Sequence, residues 1–167
     1  MGADERQQRG RSEKNGSVPD TITCTAELTV DRPQSAALAL FTPEGERAWV
    51  PGWDPSYPAP HRREGAGAVF VTTHAEETIW VMVEVGERRL RYARVTPGDT
   101  AGTVTVTVVD AAPTRTRLRV EYDLTALGPR GAERLASFRE NFANDIGEWE
   151  AAIASTSPAG GRSSQMG

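Results

Sequence analysis

The chain has 167 residues, 38% apolar and 25% charged, an ordinary globular composition that fits one domain. Net charge is −4 and the pI about 5.3, so no general electrostatic attraction draws it to phosphate backbones, and nucleic acid is excluded as an expected partner. A single cysteine, Cys24, excludes an internal disulfide and multi-cysteine zinc sites, and two histidines, His61 and His74, exclude a three-histidine catalytic metal centre. No metal and no cofactor is therefore expected.

The longest apolar run, Ala36 to Phe41, spans six residues where a membrane helix needs about 20, so no membrane span is expected. The first residues, MGADERQQRGRSEKNGS, carry charge where a secretory signal needs an apolar stretch, and the expected location is the cytoplasm. Residues 1–20 hold Val18 as their one large aliphatic residue, and 156–167 read TSPAGGRSSQMG. Neither stretch offers enough apolar area to offset ordering entropy, so both are expected to be disordered tails around a domain at residues 21–155.

The domain opens on TITCTAELTV, in which Ile22, Cys24, Ala26, Leu28 and Val30 share one face, the pattern of a half-buried strand. Asp31, with Pro33 and with Gln34 three residues on, reads as the capping box of a short helix over roughly 32–41. Thr42 before Pro43 reads as a second cap, for a brief helical stretch through Trp49. VPGWDPSYPAP follows, with four prolines in eleven residues, and is an irregular loop.

From Ala68 the period is two for nearly sixty residues, in segments joined by short turns, which predicts consecutive antiparallel hairpins. A two-residue turn at Gly86-Glu87 would set Val85 opposite Arg88, Val83 opposite Leu90, Val81 opposite Tyr92 and Ile79 opposite Arg94. Further pairs are Tyr92 with Val106, Val106 with Val120, and Val104 with Tyr122. One apolar face results, containing Ile79, Val81, Val83, Leu90, Tyr92, Val104, Val106, Val108, Leu118, Val120, Tyr122 and Leu124. Thr103, Thr105, Thr107, Arg115, Arg117, Arg119 and Glu121 fall on the opposite, solvated face. The hairpin around Ala75-Glu76 stays open: a two-residue turn puts Thr72 and His74 inside, a three-residue turn Val69, Val71 and Thr73.

After Gly128-Pro129 the period becomes helical, with Leu135, Phe138, Phe142, Ile146, Trp149 and Ile153 three or four apart in a helix of about 25 residues. A twisted sheet with one apolar face and one long helix buries that face by curling around the helix, and one helix cannot fill the whole concavity. The fold class is thus α+β, a curved antiparallel sheet of six or seven strands around a C-terminal helix, with two short helices after the first strand.

In this order of elements, and in FTPEGERAWVPGWDP (41–55), VEYDLTALGPRG (120–131) and NFANDIGEWEAAI (141–153), the sequence resembles the START-like helix-grip superfamily, also called SRPBCC. Birch-pollen-allergen-like proteins, polyketide cyclases and heat-shock-protein ATPase activators are members, and the resemblance covers about residues 22–154. It implies an apolar cavity between helix and sheet, with its mouth near the short helices and the Pro-rich loop.

Phosphate-binding and nucleophile-elbow motifs are absent. Arg94 falls in phase with the inner face, where a charge needs a partner, a ligand acid or an opening to water. Tyr92 and Tyr122 carry hydroxyls that can orient a ligand carbonyl, and Trp49, Trp53, Phe142 and Trp149 supply aromatic area. The leading reading is a binder of a small apolar or aromatic molecule through Arg94, Tyr92, Tyr122, Trp49, Trp53, Phe142 and Trp149. The alternatives are a polyketide cyclase or aromatase-like enzyme, in which a tyrosine or His74 moves a proton, and an interaction module like the ATPase activators. Oligomeric state is left open, with a homodimer admitted.

Overall fold

The computed structural model describes residues 19–156. The tails expected at 1–20 and 156–167 therefore lie outside the described residues, except for Pro19, Asp20 and Thr156. Thr156 is tied to the domain, since its hydroxyl accepts a 2.7 Å hydrogen bond from Arg32 Nη2.

Six strands form one antiparallel sheet: β1 (Thr21–Val30), β2 (Val69–Thr72), β3 (Thr78–Val85), β4 (Arg89–Thr96), β5 (Thr100–Ala112) and β6 (Arg115–Ala126). Their spatial order is β1-β6-β5-β4-β3-β2, so the first strand closes one edge beside the last. Between β1 and β2 lie α1 (Gln34–Ala39) and a 3-10 turn (Gly45–Ala48), and the chain ends in α2 (Pro129–Ala154), 26 residues long. This is the expected helix-grip arrangement.

The long helix packs mainly on β1 and β6, where Ile22, Leu28, Leu118, Leu124, Leu135, Phe142, Ile146 and Ile153 are all buried. The concave face of β2 to β5 is thus covered instead by the 3-10 turn and the Pro-rich segment. Ser56 and Val71 exchange backbone hydrogen bonds of 2.9 Å, which fastens that segment to the edge strand. Outside the cavity, Arg47 bonds Glu44 at 2.7 Å, Asp54 at 2.6 Å and the Pro55 carbonyl at 3.0 Å, holding the fold of the loop.

Glycine permits two close approaches. A Cβ on Gly45 would collide with the carbonyl oxygen of Ala39, so only glycine lets the 3-10 turn seat against the end of α1. A Cβ on Gly131 would meet the carbonyl oxygen of Asp99, so glycine in the first turn of α2 lets the helix rest on the β4–β5 turn.

The helix predicted over 32–41 is shorter, and Asp31 does not cap it: the N-cap position is Pro33, with no side-chain cap bond. The Asp31 side chain instead points to Arg115 at 3.7 Å. Thr42 does act locally, its Oγ1 accepting from the Gly45 N–H at 3.1 Å.

The larger correction concerns β3. Val85 pairs with Leu90, not Arg88, and a bulge between Met82 and Glu84 absorbs one residue. Beyond it Met82 pairs with Tyr92, Val81 with Ala93, Trp80 with Arg94 and Ile79 with Val95. Trp80 and Met82 therefore take the inner face, while Ile79 (36% exposed) and Val83 (50%) face out. The strand TIWVMVEV is apolar in both phases, so alternation does not choose its register, and the four-residue connection plus the bulge reverse the parity. On β5, Tyr92 pairs with Val104 rather than Val106, whereas the pairs Val106 with Val120 and Val104 with Tyr122 stand as expected.

A tryptophan-lined cavity as the candidate functional site

Between the concave face of β2 to β5 and its cover lies a cavity of about 260 Å³. All four tryptophans of the chain, Trp49, Trp53, Trp80 and Trp149, line it. Trp49 and Trp53 follow the 3-10 turn, and their indole N–H groups donate to the carbonyls of Leu40 and Pro43, each at 2.8 Å. Those bonds fix both rings to the backbone of the segment that carries them. Trp80 enters from β3, with its N–H on Thr72 Oγ1 at 3.0 Å, and Trp149 enters from α2.

The rings form two contact series. Trp53, Trp80, Phe70 and Tyr92 pack on the side of β2 to β4, with Phe70 and Trp80 stacked at 5.7 Å and 3°. Phe41, Trp49, Trp149 and Tyr122 pack on the side of α2, with Trp49 to Trp149 edge-on at 5.5 Å. Edge-on and offset pairs are the arrangements favoured by ring quadrupoles.

Four polar side chains reach into this aromatic shell. Glu46, in the 3-10 turn, lines the cavity without a side-chain hydrogen bond or ion pair among the described residues. Loss of water around its carboxyl pushes its pKa well above the ordinary carboxylate range, which favours the neutral acid. Arg94 lies with its guanidinium carbon 5.2 Å from the Trp80 ring centroid and makes one long hydrogen bond, Nη2 to Thr96 Oγ1 at 3.4 Å. Its Nε is buried without a partner. Burial lowers its pKa, yet a guanidinium starts so high that it stays protonated at neutral pH.

Tyr122 and Tyr92 differ despite their common exposure to the cavity. The Tyr92 hydroxyl donates to the Phe41 carbonyl at 2.7 Å, so only its lone pairs remain for a ligand. Tyr122 makes no side-chain hydrogen bond among the described residues. Burial raises the pKa of both phenols, which keeps them protonated.

The exposed lining residues, His74, Ala75 and Arg134, mark the mouth, beside Glu76 and Val50. An ionic cluster spans it. Arg134 Nη2 and Arg130 Nη2 both donate to Glu76 Oε1, at 2.6 Å and 2.9 Å, and Arg134 Nε stands 3.2 Å from Oδ2 of the buried Asp99. The N-terminal turns of α2 are thereby joined to the β2–β3 loop and the β4–β5 turn. The mouth thus lies next to the Pro-rich segment but is framed by the β2–β3 hairpin and α2, not by the short helices alone.

Of the residues singled out from sequence, Arg94, Tyr92, Tyr122, Trp49, Trp53 and Trp149 line the cavity. Phe142 does not: it is buried behind Tyr122, ring centroids 5.7 Å apart, and belongs to the packing of α2. Thr72 and His74 are on the lining, through a loop of five residues between Thr72 and Thr78 rather than a two- or three-residue turn. Sequence reading missed Glu46, because a glutamate in a short polar turn carries no periodic signal, and missed Trp80 through the parity error. It also missed Asp99, Thr96 and Arg134. Among the described residues no three His, Cys, Asp or Glu side chains group as metal ligands. Cys24 is buried, and desolvation raises its thiol pKa.

No protein-family model matches this chain, and no curated protein sequence matches it. Solved structures do. An uncharacterized protein from Rhizobium leguminosarum is 14% identical with a TM-score of 0.60, over 80% of this chain and 95% of that one. A Mesorhizobium loti protein is 17% identical with a TM-score of 0.60, over 82% and 100%. Norcoclaurine synthase from Thalictrum flavum, in complex with dopamine and hydroxybenzaldehyde, is 13% identical with a TM-score of 0.58, over 91% and 95%. These likenesses carry the fold, and the fold they share with this chain is the helix-grip arrangement of a curved antiparallel sheet around a C-terminal helix.

Proposed function

We propose that this protein binds a small aromatic or apolar molecule in the tryptophan-lined cavity, with Arg94, Tyr122 and Tyr92 as polar contacts. The observation that carries this reading is the convergence of all four tryptophans on one cavity of about 260 Å³. A dry apolar cavity of about 150 Å³ suffices for benzene, so there is room here for a ring and a short substituent. Folding gains nothing from leaving such space empty, since unfilled volume forfeits dispersion contacts. The structural likeness to norcoclaurine synthase, which was solved with two small aromatic molecules, supports the same reading.

A second reading, an enzyme of the cyclase or aromatase kind, is favoured by Glu46. A carboxyl whose pKa is raised by burial, in an aromatic cavity that the Tyr122 hydroxyl also lines, is a group that can give and take a proton. Rings positioned by backbone bonds supply the fixed geometry that such a reaction needs.

Native mass spectrometry of the purified protein, against its denatured mass, tests the binding reading together with tryptophan fluorescence under titration with small aromatic compounds. Retained ligand mass, or saturable quenching, is the expected result. A bare polypeptide mass with no response to any aromatic probe would remove the reading. Conversion of a bound compound to a new mass would move the conclusion to the enzyme.

A further inference from the structure

We propose that the cavity selects a small aromatic acid, its carboxylate paired with Arg94 and its ring held among the tryptophans; this rests on the ligand-binding reading above. The argument is one of charge. The charged side chains at the mouth compensate one another: Glu76 takes hydrogen bonds from Arg130 and Arg134, and Asp99 stands against Arg134. Deeper in, Arg94 has no carboxylate within ion-pair distance among the described residues, and its Nε makes no hydrogen bond there. Glu46, the carboxyl group on the inner wall, makes no ion pair with it among the described residues, and loss of water raises its pKa well above the ordinary carboxylate range. The inner wall therefore carries a guanidinium with no carboxylate at ion-pair distance among the described residues, in an aromatic setting where a buried cation is costly unless paired.

A monoanion resolves that imbalance. A guanidinium presents parallel N–H donors that match a carboxylate in a forked pair, and the Trp80 ring, 5.2 Å from the Arg94 guanidinium carbon, covers one side of that fork. The Tyr122 hydroxyl, which makes no hydrogen bond among the described residues, is a further donor on the same lining, able to serve a lone pair of the acid that Arg94 leaves free. An ammonium ligand would find the opposite, a like charge fixed on the inner wall.

The test uses three probes of one shape, phenylacetate, phenylacetamide and 2-phenylethylamine, titrated into the full chain and read by tryptophan fluorescence at neutral pH. Phenylacetate is expected to bind at least about tenfold more tightly than either of the others. Arg94→Met is expected to abolish that preference while phenylacetamide still quenches, and Arg94→Lys to retain a preference for the acid. Equal binding of acid and amide, or tighter binding of the amine, would overturn the acid proposal and leave the binding reading intact. Absence of binding by all three would overturn both. If Arg94→Met fails to fold, the three probes on the unaltered chain decide the matter alone.

Discussion

The guanidinium of Arg94 stands over the Trp80 indole, 5.2 Å from its centroid, on residues that are direct partners across β4 and β3. The tryptophan shields the cation from water on one face while leaving its Nε without a hydrogen bond. Arg94 is thus buried at some cost to the fold. Arg94→Met keeps an unbranched apolar stem and removes the buried charge. Its thermal unfolding midpoint is expected to match or exceed the parent's, with any loss below about 1 kcal/mol, the size of a partly desolvated cation–π contact. A collapse of the melt would show that Arg94 holds the sheet together.

Glu46 carries a pH dependence with a definite sign. Its pKa is raised in the folded state by desolvation, so between the ordinary carboxylate value and its own the folded chain keeps a proton that the unfolded chain has released. Stability contributed by this group therefore falls as pH rises through that window and is fully present below it. Glu46→Gln is expected to flatten that slope and to raise the melting temperature at pH 7, while changing it little at pH 4. Parallel melting curves of parent and variant against pH would contradict the assignment.

Gly131 seats α2 on the β4–β5 turn, where a Cβ would collide with the carbonyl of Asp99. Although alanine favours helix, Gly131→Ala is expected to destabilise by about 1–3 kcal/mol, the usual cost of overpacking. The same shift should loosen Arg134 from Asp99 and weaken ligand binding. Denaturant titration gives the first quantity and fluorescence the second.

Leu124 is 2% exposed on β6, paired with Ile22 on one side and Gly102 on the other. A carboxylate there has no countercharge on either paired neighbour, so Leu124→Asp is expected to leave little folded protein at neutral pH, read by circular dichroism. A native spectrum would contradict the placement of this strand's inner face.

The order of elements was legible in the sequence because each signal is local. Strict alternation in TITCTAELTV and RTRLRVEYDL marks strands with one buried face, and both pair in register as β1 and β6. The spacing from Leu135 to Ile153 marks α2, found at Pro129–Ala154. Placing Arg94, Tyr92 and Tyr122 on the inner face needed only the alternation within β4 and β6, because the bulges of the β3–β4 and β5–β6 pairs fall on β3 and β5. Local composition and period thus determined the helix-grip architecture and put Tyr92, Arg94, Val104, Val106 and Tyr122 on its inner face. Tertiary structure decided the remainder. A bulge at Val83 placed Trp80 inside and Ile79 outside, because a strand apolar in both phases takes its register from its neighbours. Close packing of a 3-10 turn on α1 carried Glu46 into the cavity, and the seating of α2 brought Arg134 to Asp99 and Glu76. Those contacts join residues far apart in the chain, and only the folded backbone sets the distance between them.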